Sequence, residues 1–533
     1  MKMVKSLLLG SAAGLVAVSA GQAADLPVKA KPVEYVKVCS LYGSGFYYMP
    51  GTDICMKIGG FLRTEINVHA NGSFAPFVNG ANASQFRSED NFVTRARAAL
   101  TADVREQTSY GTLRAYLAAG WQYTTDDAPT VSLPASTVGV TGGAGALNNN
   151  SNVYLLRAFI QLGGFTFGKT ASFYDFFNTS KYTLQTNFLY QDFAGFGVFT
   201  YGYTQQFGNG LAGTIAFQDP SPYEHNVVDV GLTGVAGQST FALSPTANNN
   251  QNAGTLVPDI VASLRLDQAW GGAQIAGIAH QVRARYYNTA AVDSGGAEVG
   301  SPALVGVGHP GDKWGWAAMA GLELNMGGWG WFFNKGDSFA VQGQYCVGAS
   351  MDCYNNSGTR FNDLSWSLIN VNKIGLGWLD DGFMANTTET GATGIELATN
   401  WNVFAAFQHY WVPEIRTSLY GGYAQYKANS QAVNVEICQE LNEGELAGFT
   451  GLVAPTGCLD WAAWTVGSRT LWNPTRNLDV GVDVLYTSMS QTAFAGATAH
   501  FAAPGSSTVP AVFNVADTHI WAGILRVQYN FLP

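Results

Sequence analysis

Alternation of apolar and polar positions dominates this chain. From Met56 to Ala70 the even positions read Met56, Ile58, Gly60, Leu62, Thr64, Ile66, Val68 and Ala70, and the odd ones Lys57, Gly59, Phe61, Arg63, Glu65, Asn67 and His69. A period of two held over fifteen residues predicts a strand far longer than the ~5–6 residues usual in soluble sheets. Phe92–Arg105 repeats the pattern, with Phe92, Thr94, Ala96, Ala98, Leu100, Ala102 and Val104 on one face. At the other end, Thr518–Phe531 sets Trp521, Gly523, Leu525, Val527, Tyr529 and Phe531 against Arg526, Gln528 and Asn530. A wholly apolar face with aromatics at both ends suits a barrel wall in lipid, apolar outside and wet inside. A barrel has no free edge, so the last strand must pair with the first.

Between these ends, short turns and long loops take turns. Turn signals fall at Glu106–Gly111, Gly163-Gly164, Gly208-Asn209-Gly210, Gly271-Gly272, Gly327-Gly328, Pro413 and Asn473-Pro474. Long polar or glycine-rich stretches separate them, at Asn71–Asp90, Thr124–Ser151, Ser221–Leu256 and Asn288–Gly311. Further strands read at Leu113–Tyr123, Tyr154–Leu162, Leu211–Phe217, Ile260–Leu266, Phe339–Tyr345, Trp401–Trp411, Ile415–Tyr426, Trp461–Trp472 and Leu478–Tyr486. The fold class is therefore all-β: a transmembrane antiparallel β-barrel of about sixteen strands, with short periplasmic turns and long external loops. That size leaves room for an aqueous channel.

Composition agrees. Charged residues are 12% of 533, aromatics 13% with 24 Tyr and 14 Trp, and no mature stretch approaches the ~20 apolar residues of a membrane helix. A net charge of −10 argues against nucleic acid as a partner. Lys2 and Lys5, the apolar run Leu7–Ser19 and the small-x-Ala site Gly21-Gln22-Ala23 predict a signal peptide over 1–23. A short leader, 24–38, and the barrel, 39–533, complete the expected organisation. The six cysteines fall as near pairs, Cys39/Cys55, Cys346/Cys353 and Cys438/Cys458. Six allow about 15 connectivities; sequential pairing is the expectation, since each pair closes a local loop in an oxidising compartment. Cys346/Cys353 and Cys438/Cys458 are both expected in long external loops. A metal site is the rival reading, without a CxxC or a histidine cluster to support it. No cofactor is called for.

Candidate chemistry is sparse. Gly163–Thr170 (GGFTFGKT) matches a phosphate-binding loop pattern, but it starts at a hairpin turn and runs into Phe173, Tyr174, Phe176 and Phe177, where a helix should begin. No Ser/His/acid set for an enzyme stands out among seven scattered histidines. The positive signal is basic. Arg63, Arg95, Arg97, Arg114 and Arg157 fall on inward positions of four neighbouring strands. Thr170–Phe193 is a long excursion carrying Asp175, Lys181 and Asp192; folded inward, its acids would face the arginines across a pore. Glu65 and Asp103, on the same strands, offer the arginines a second set of partners.

Three stretches resemble the alphaproteobacterial general porin family. They are Cys39–Arg63 (CSLYGSGFYYMPGTDICMKIGGFLR), Phe167–Phe177 (FGKTASFYDFF) and His409–Tyr426 (HYWVPEIRTSLYGGYAQY). The resemblance spans nearly the whole mature chain. It implies a homotrimeric, sixteen-stranded outer-membrane porin, set among outer-membrane lipids, that passes small hydrophilic solutes and ions and is narrowed by an inward-folded third loop. It places the basic wall on Arg95, Arg97, Arg114 and Arg157 and the loop acids on Asp175 and Asp192. Two departures stand out. Leu532 and Pro533 follow the terminal aromatic Phe531, and the chain is long for sixteen strands, which puts the excess in the outer loops. The alternatives are a substrate-selective channel for sugars or organic acids, using the aromatics of Phe173–Tyr190, and a surface adhesin.

Overall fold

The computed structural model describes residues 38–69, 92–125, 151–177, 179–185, 197–221, 224–230, 252–287, 308–330, 332–353, 366–370, 373–387, 390–443, 449–502 and 510–531. The expected signal peptide, Asp192, Leu532 and Pro533 lie outside them. Two compact units divide the chain at Met56. In the first, the Cys39–Cys55 disulfide closes a turn, Phe46 is buried beside both cysteines, and Tyr47–Tyr48 pairs back on Cys55 and Met56.

The second unit is the barrel. Its strands are β1 (Cys55–Val68), β2 (Phe92–Thr108), β3 (Gly111–Thr124), β4 (Ser151–Leu162), β5 (Phe165–Thr170) and β6 (Val198–Gly208). They continue with β7 (Leu211–Gln218), β8 (Asp259–Gln268), β9 (Gly271–Val282), β10 (Lys313–Asn325) and β11 (Ser338–Val347). The last five are β12 (Thr399–Val412), β13 (Ile415–Lys427), β14 (Trp461–Thr475), β15 (Leu478–Gln491) and β16 (Thr518–Phe531). Each strand pairs with its sequence neighbours, antiparallel wherever the register is described, and β16 closes on β1, giving sixteen strands in a ring.

Burial is inverted relative to a water-soluble protein. Leu62, Leu100, Trp121, Ile160, Ile215, Ile275, Trp316, Leu419, Val482 and Trp521 are exposed, while Glu65, Asn67, Gln342, Asn402, Arg469 and Asp483 are buried. An outer surface this apolar is stable only against hydrocarbon.

The alternating rhythm holds, with adjustments. Two residues join β2 to β3, β4 to β5, β6 to β7, β8 to β9, β12 to β13 and β14 to β15. Asn473-Pro474, expected as a turn, belongs to the end of β14. The register shifts there because Pro474 has no N–H for the ladder, and the chain reverses two residues later. The stretch that matched a phosphate loop is the β4–β5 turn and the short strand β5.

Among the described residues, part of the excess length on the opposite rim is folded. Segments from three loops form one five-stranded sheet: Trp366–Asn370 and Lys373–Gly377, Thr498–Ala502 and Pro510–Val515, and Phe449–Thr450. Ile374, Leu376, Trp378, Phe449, Phe494 and Phe513 fill its core.

The other two disulfides, Cys346–Cys353 and Cys438–Cys458, are sequential, as expected, and belong to this side. Cys353, Cys438 and Cys458 lie, as expected, in the long connections after β11 and between β13 and β14, and only Cys346 needs correction. Cys346 sits on β11, not in a loop, so the Cys346–Cys353 bond ties the start of the connection after β11, part of the cap that this sheet and its packed neighbours form, to the wall. Cys438 lies on the short helical segment Asn434–Gln439, and Cys458 in a turn three residues before β14 begins. Both are buried in the cap core, and the Cys458 carbonyl accepts from the Phe494 N–H at 2.6 Å. The Cys438–Cys458 bond therefore staples that helical segment to the foot of β14, inside packed structure, instead of closing a solvated loop.

Closure has a local requirement. Gly60 of β1 pairs with Phe531 of β16 at φ +153°, and a Cβ there would stand 2.2 Å from the Ala99 carbonyl oxygen and 2.7 Å from the Phe531 ring. Gly60→Val is expected to prevent closure, read as loss of the compact, heat-modifiable band on gels; an unchanged band would contradict it.

Candidate functional site

The basic side chains on β1–β4 and β16 reach inward because their strands hold a strict alternation against the apolar outer face. They do not form one continuous wall. Toward the external half, Glu65 is the hub, with its side chain fully buried. It accepts from Arg95 at 2.6 Å and from Arg526 at 2.5 Å, and Arg63 lies 3.9 Å away. Arg63 donates to Gln528 at 2.6 Å and Arg97 to Gln122 at 2.8 Å, with the Arg97 guanidinium 5.4 Å from the Tyr154 ring. Six residues further along β2, roughly 20 Å of strand, Asp103 holds a second group. It accepts from Arg105 at 2.8 Å and Arg114 at 2.9 Å, and Arg114 lies over the stacked rings of Tyr116 and Phe159. Arg157 donates through Nη1 to the Leu156 carbonyl, with Lys169 close by on β5.

The excursion after β5 does fold inward. Gln274 donates to the carbonyls of Phe173, Tyr174 and Asp175, and Arg265 to that of Phe176. The Phe176 ring fills the space left open by Gly272 and Gly321. Further along, Lys181 and Tyr182 both contact Glu323, and Arg469 donates to the Ser180 carbonyl at 3.3 Å. Burial, with the nearby Glu323 carboxylate, raises the Tyr182 phenol above its ordinary value, so it donates as a neutral hydroxyl. Asp483 on β15 then receives three donors, the Thr183 hydroxyl at 2.8 Å, the Leu184 N–H at 2.6 Å and the Tyr420 hydroxyl at 2.6 Å. Arg526 donates to the Leu184 carbonyl at 2.6 Å, so one side chain joins the loop to the Glu65 hub.

This corrects the place expected for Asp175; the other loop acid, Asp192, lies outside the described residues. Asp175 lies on the β8–β9 side with both carboxylate oxygens buried, so its charge does not face the lumen. The acids that engage the arginines are Glu65 and Asp103, on the strands themselves. Asp483 and Arg526 were the residues the sequence reading missed. Both were visible as inward charges, but their roles depend on register: Glu65 pairs across the seam with Arg526, which no local pattern reports.

A closed sixteen-strand barrel with an apolar outer face and an inward loop is the architecture of an outer-membrane channel protein. The profile of the family described as a porin subfamily matches residues 25–524, and the chain belongs to that family and to the outer membrane. Porin Omp2b of Brucella melitensis biotype 1 is 31% identical over 280 residues, covering 52% of this chain and 65% of that protein. Porin Omp2b of Brucella suis biovar 1 is 30% identical over the same shares. The chain thus spans 65% of the length of these relatives. The crystal structure of the outer membrane channel DcaP of Acinetobacter baumannii matches with a TM-score of 0.50 at 11% identity, over 91% of this chain and 99% of that one, which shows a shared fold.

Two substitutions separate the hub from the anchor. Glu65→Gln leaves buried arginines without their counter-charge and is expected to cost roughly 3–5 kcal/mol of stability, read as a lower urea midpoint in detergent. Asp483→Asn weakens the loop's hold on β15 and should leave the barrel folded but make single-channel current noisier. A silent Asp483→Asn trace would show that the loop is held elsewhere.

Proposed function

We propose that the chain is a passive, water-filled channel for small hydrophilic solutes and ions, not an enzyme. The observation that carries this reading is a lumen wall with more cations than acids, beside an inward loop fixed by buried hydrogen bonds. On β1–β4 and β16 the arginines Arg63, Arg95, Arg97, Arg105, Arg114, Arg157 and Arg526 outnumber the acids Glu65, Asp103 and Glu106. A surplus of cations at a narrowing attracts anions and repels cations, so the channel is expected to prefer anions. Bilayer recordings in a salt gradient test this. Replacing Arg95, Arg97, Arg114 and Arg157 together with Ser should bring an anion-selective reversal potential close to zero; unchanged selectivity would falsify the role given to the wall.

A solute-selective variant of this reading has one supporting feature. Arg114, 5.1 Å and 5.3 Å from the rings of Tyr116 and Phe159, makes a charged and aromatic shelf suited to a flat anionic solute. Saturable block of the current by an aromatic carboxylate, relieved in Phe159→Ala, selects that version.

We further propose a homotrimer. On the outer face of β16 and β1–β3, a hollow of about 680 Å³ has Thr64, Ala96 and Ala98 as its floor and Leu62, Trp121 and Tyr529 on its rim. Small residues let a neighbouring wall approach closely. Ala96→Arg is expected to convert trimers to monomers on native gels while the heat-modifiable monomer band persists.

A further inference from the structure

Two arginines of the inward wall are held in the same way. Arg63 on β1 donates from Nε to the Gln528 side-chain carbonyl at 2.6 Å, and its guanidinium stands 4.7 Å from the Phe61 ring. Arg97 on β2 donates from Nε to the Gln122 side-chain carbonyl at 2.8 Å and stands 5.4 Å from the Tyr154 ring. In each, a neutral amide fixes one edge of the guanidinium and an aromatic ring covers one face, so the Nη edge is what remains. The supports are themselves tied down. Gln528 donates to Asn530 at 2.6 Å, which donates to Asp479 at 2.9 Å. The Tyr154 hydroxyl donates to the Ala98 carbonyl at 3.2 Å and lies over Gly120, where a Cβ would stand 2.5 Å from the phenol oxygen.

The nearest acid is already engaged. Glu65 accepts through Oε2 from Arg95 and through Oε1 from Arg526, each through two nitrogens at 2.5–2.6 Å. Arg63 Nη1 lies 3.9 Å from Oε1, beyond hydrogen-bond reach. Among the described residues, nothing accepts a hydrogen bond from the Nη groups of Arg63 or Arg97. Both side chains are half-buried on neighbouring strands, and Arg97 repels Arg63 across them.

We propose that Arg63 and Arg97 form a binding site for the dianionic phosphoryl group of a small solute. Two free guanidinium forks on adjacent strands offer their N–H donors to oxygens of one phosphorus, and charge-assisted bonds of this kind are short and strong. The glutamines orient the forks without cancelling their charge. A ligand of charge −2 therefore matches the pair, whereas a monocarboxylate, with one charge and two oxygens, satisfies one fork only. The amide and aromatic supports fit a planar guanidinium, which the point charge of a lysine does not reproduce. The site rests on the channel reading, since a solute reaches it through an open lumen.

The test is isothermal titration calorimetry of the folded protein in dodecyl maltoside, run at two temperatures and at about pH 8, above the second phosphate pKa of about 6. The probes are glucose 6-phosphate, inorganic phosphate and gluconate. The wild type is expected to bind both phosphates, and gluconate at least roughly tenfold more weakly, through the loss of one charge-assisted hydrogen bond. Equal binding of the two phosphates assigns recognition to the phosphoryl group alone; tighter binding of the sugar phosphate adds contacts from the sugar. Arg63→Lys with Arg97→Lys keeps both charges and should still bind glucose 6-phosphate at least roughly tenfold more weakly. If that pair does not fold, Arg97→Lys alone should show a several-fold loss. Lys427→Ser, at an exposed cation on the end of β13, should bind as wild type does. Wild-type affinity in the lysine variants, gluconate bound as tightly as phosphate, or no binding of either phosphate would each overturn the proposal. Current is not part of this readout: a conducting channel that binds no phosphate loses this site and keeps the channel reading, and a non-conducting barrel that binds phosphate does the reverse.

Discussion

The pairing of Glu65 with Arg526 sits where the sheet becomes a ring. Both side chains point inward from the two strands that meet last, and their Cα atoms are partners in that register. A slip of one residue would turn every side chain of a strand to the opposite face. Here it would carry a carboxylate and a guanidinium into lipid, where a charge costs several kcal/mol. The ion pair thus penalises misregistered closure more strongly than it stabilises the correct one, since the pair itself must be desolvated.

From that seam the lumen is organised outward. Glu65 gathers arginines from β1, β2 and β16, and one of them also holds the loop carbonyl of Leu184. Asp483, buried on the neighbouring strand, completes the hold through an N–H and a hydroxyl. The loop's first half is held by Gln274 and Arg265, which donate to its carbonyls, and by packing, with the Phe177 ring 6.1 Å from that of Phe404. The loop is therefore anchored through its backbone on one wall and through buried charged side chains on the other.

The wall was legible in the sequence because lipid outside and water inside impose a period of two that nothing else in the chain obscures. Met56–Ala70 and Thr518–Phe531 announced their faces, the cysteines paired as neighbours, and the short turns fell close to where glycine marked them, except at Gly327-Gly328, where residues 326–337 join β10 to β11. Pro474 misled because a proline reads as a turn wherever it stands, while the register shift that accommodates it does not show in a string of letters. Cys346 misled in a similar way: its spacing reports the partner, but not that it stands on a strand. The site was half legible. The inward arginines followed from parity, but which acid each one meets is a matter of register between strands and of where the loop lies. Asp175 was assigned by its place on the loop, and its side chain turned out of solvent. The cap was the least legible part, since its short strands come from three separate loops and their partners are far apart in the chain.

The parallel pairing of Lys373–Gly377 with Pro510–Val515 has a consequence for how the molecule is made. The two partners are separated by most of the last third of the chain, so the sheet they share cannot be completed until the chain has reached the stretch just before β16. Contacts of such long range form late. This sheet therefore matures late in assembly. The three loops that build it are not independent ornaments: a change in one alters the footing of the other two.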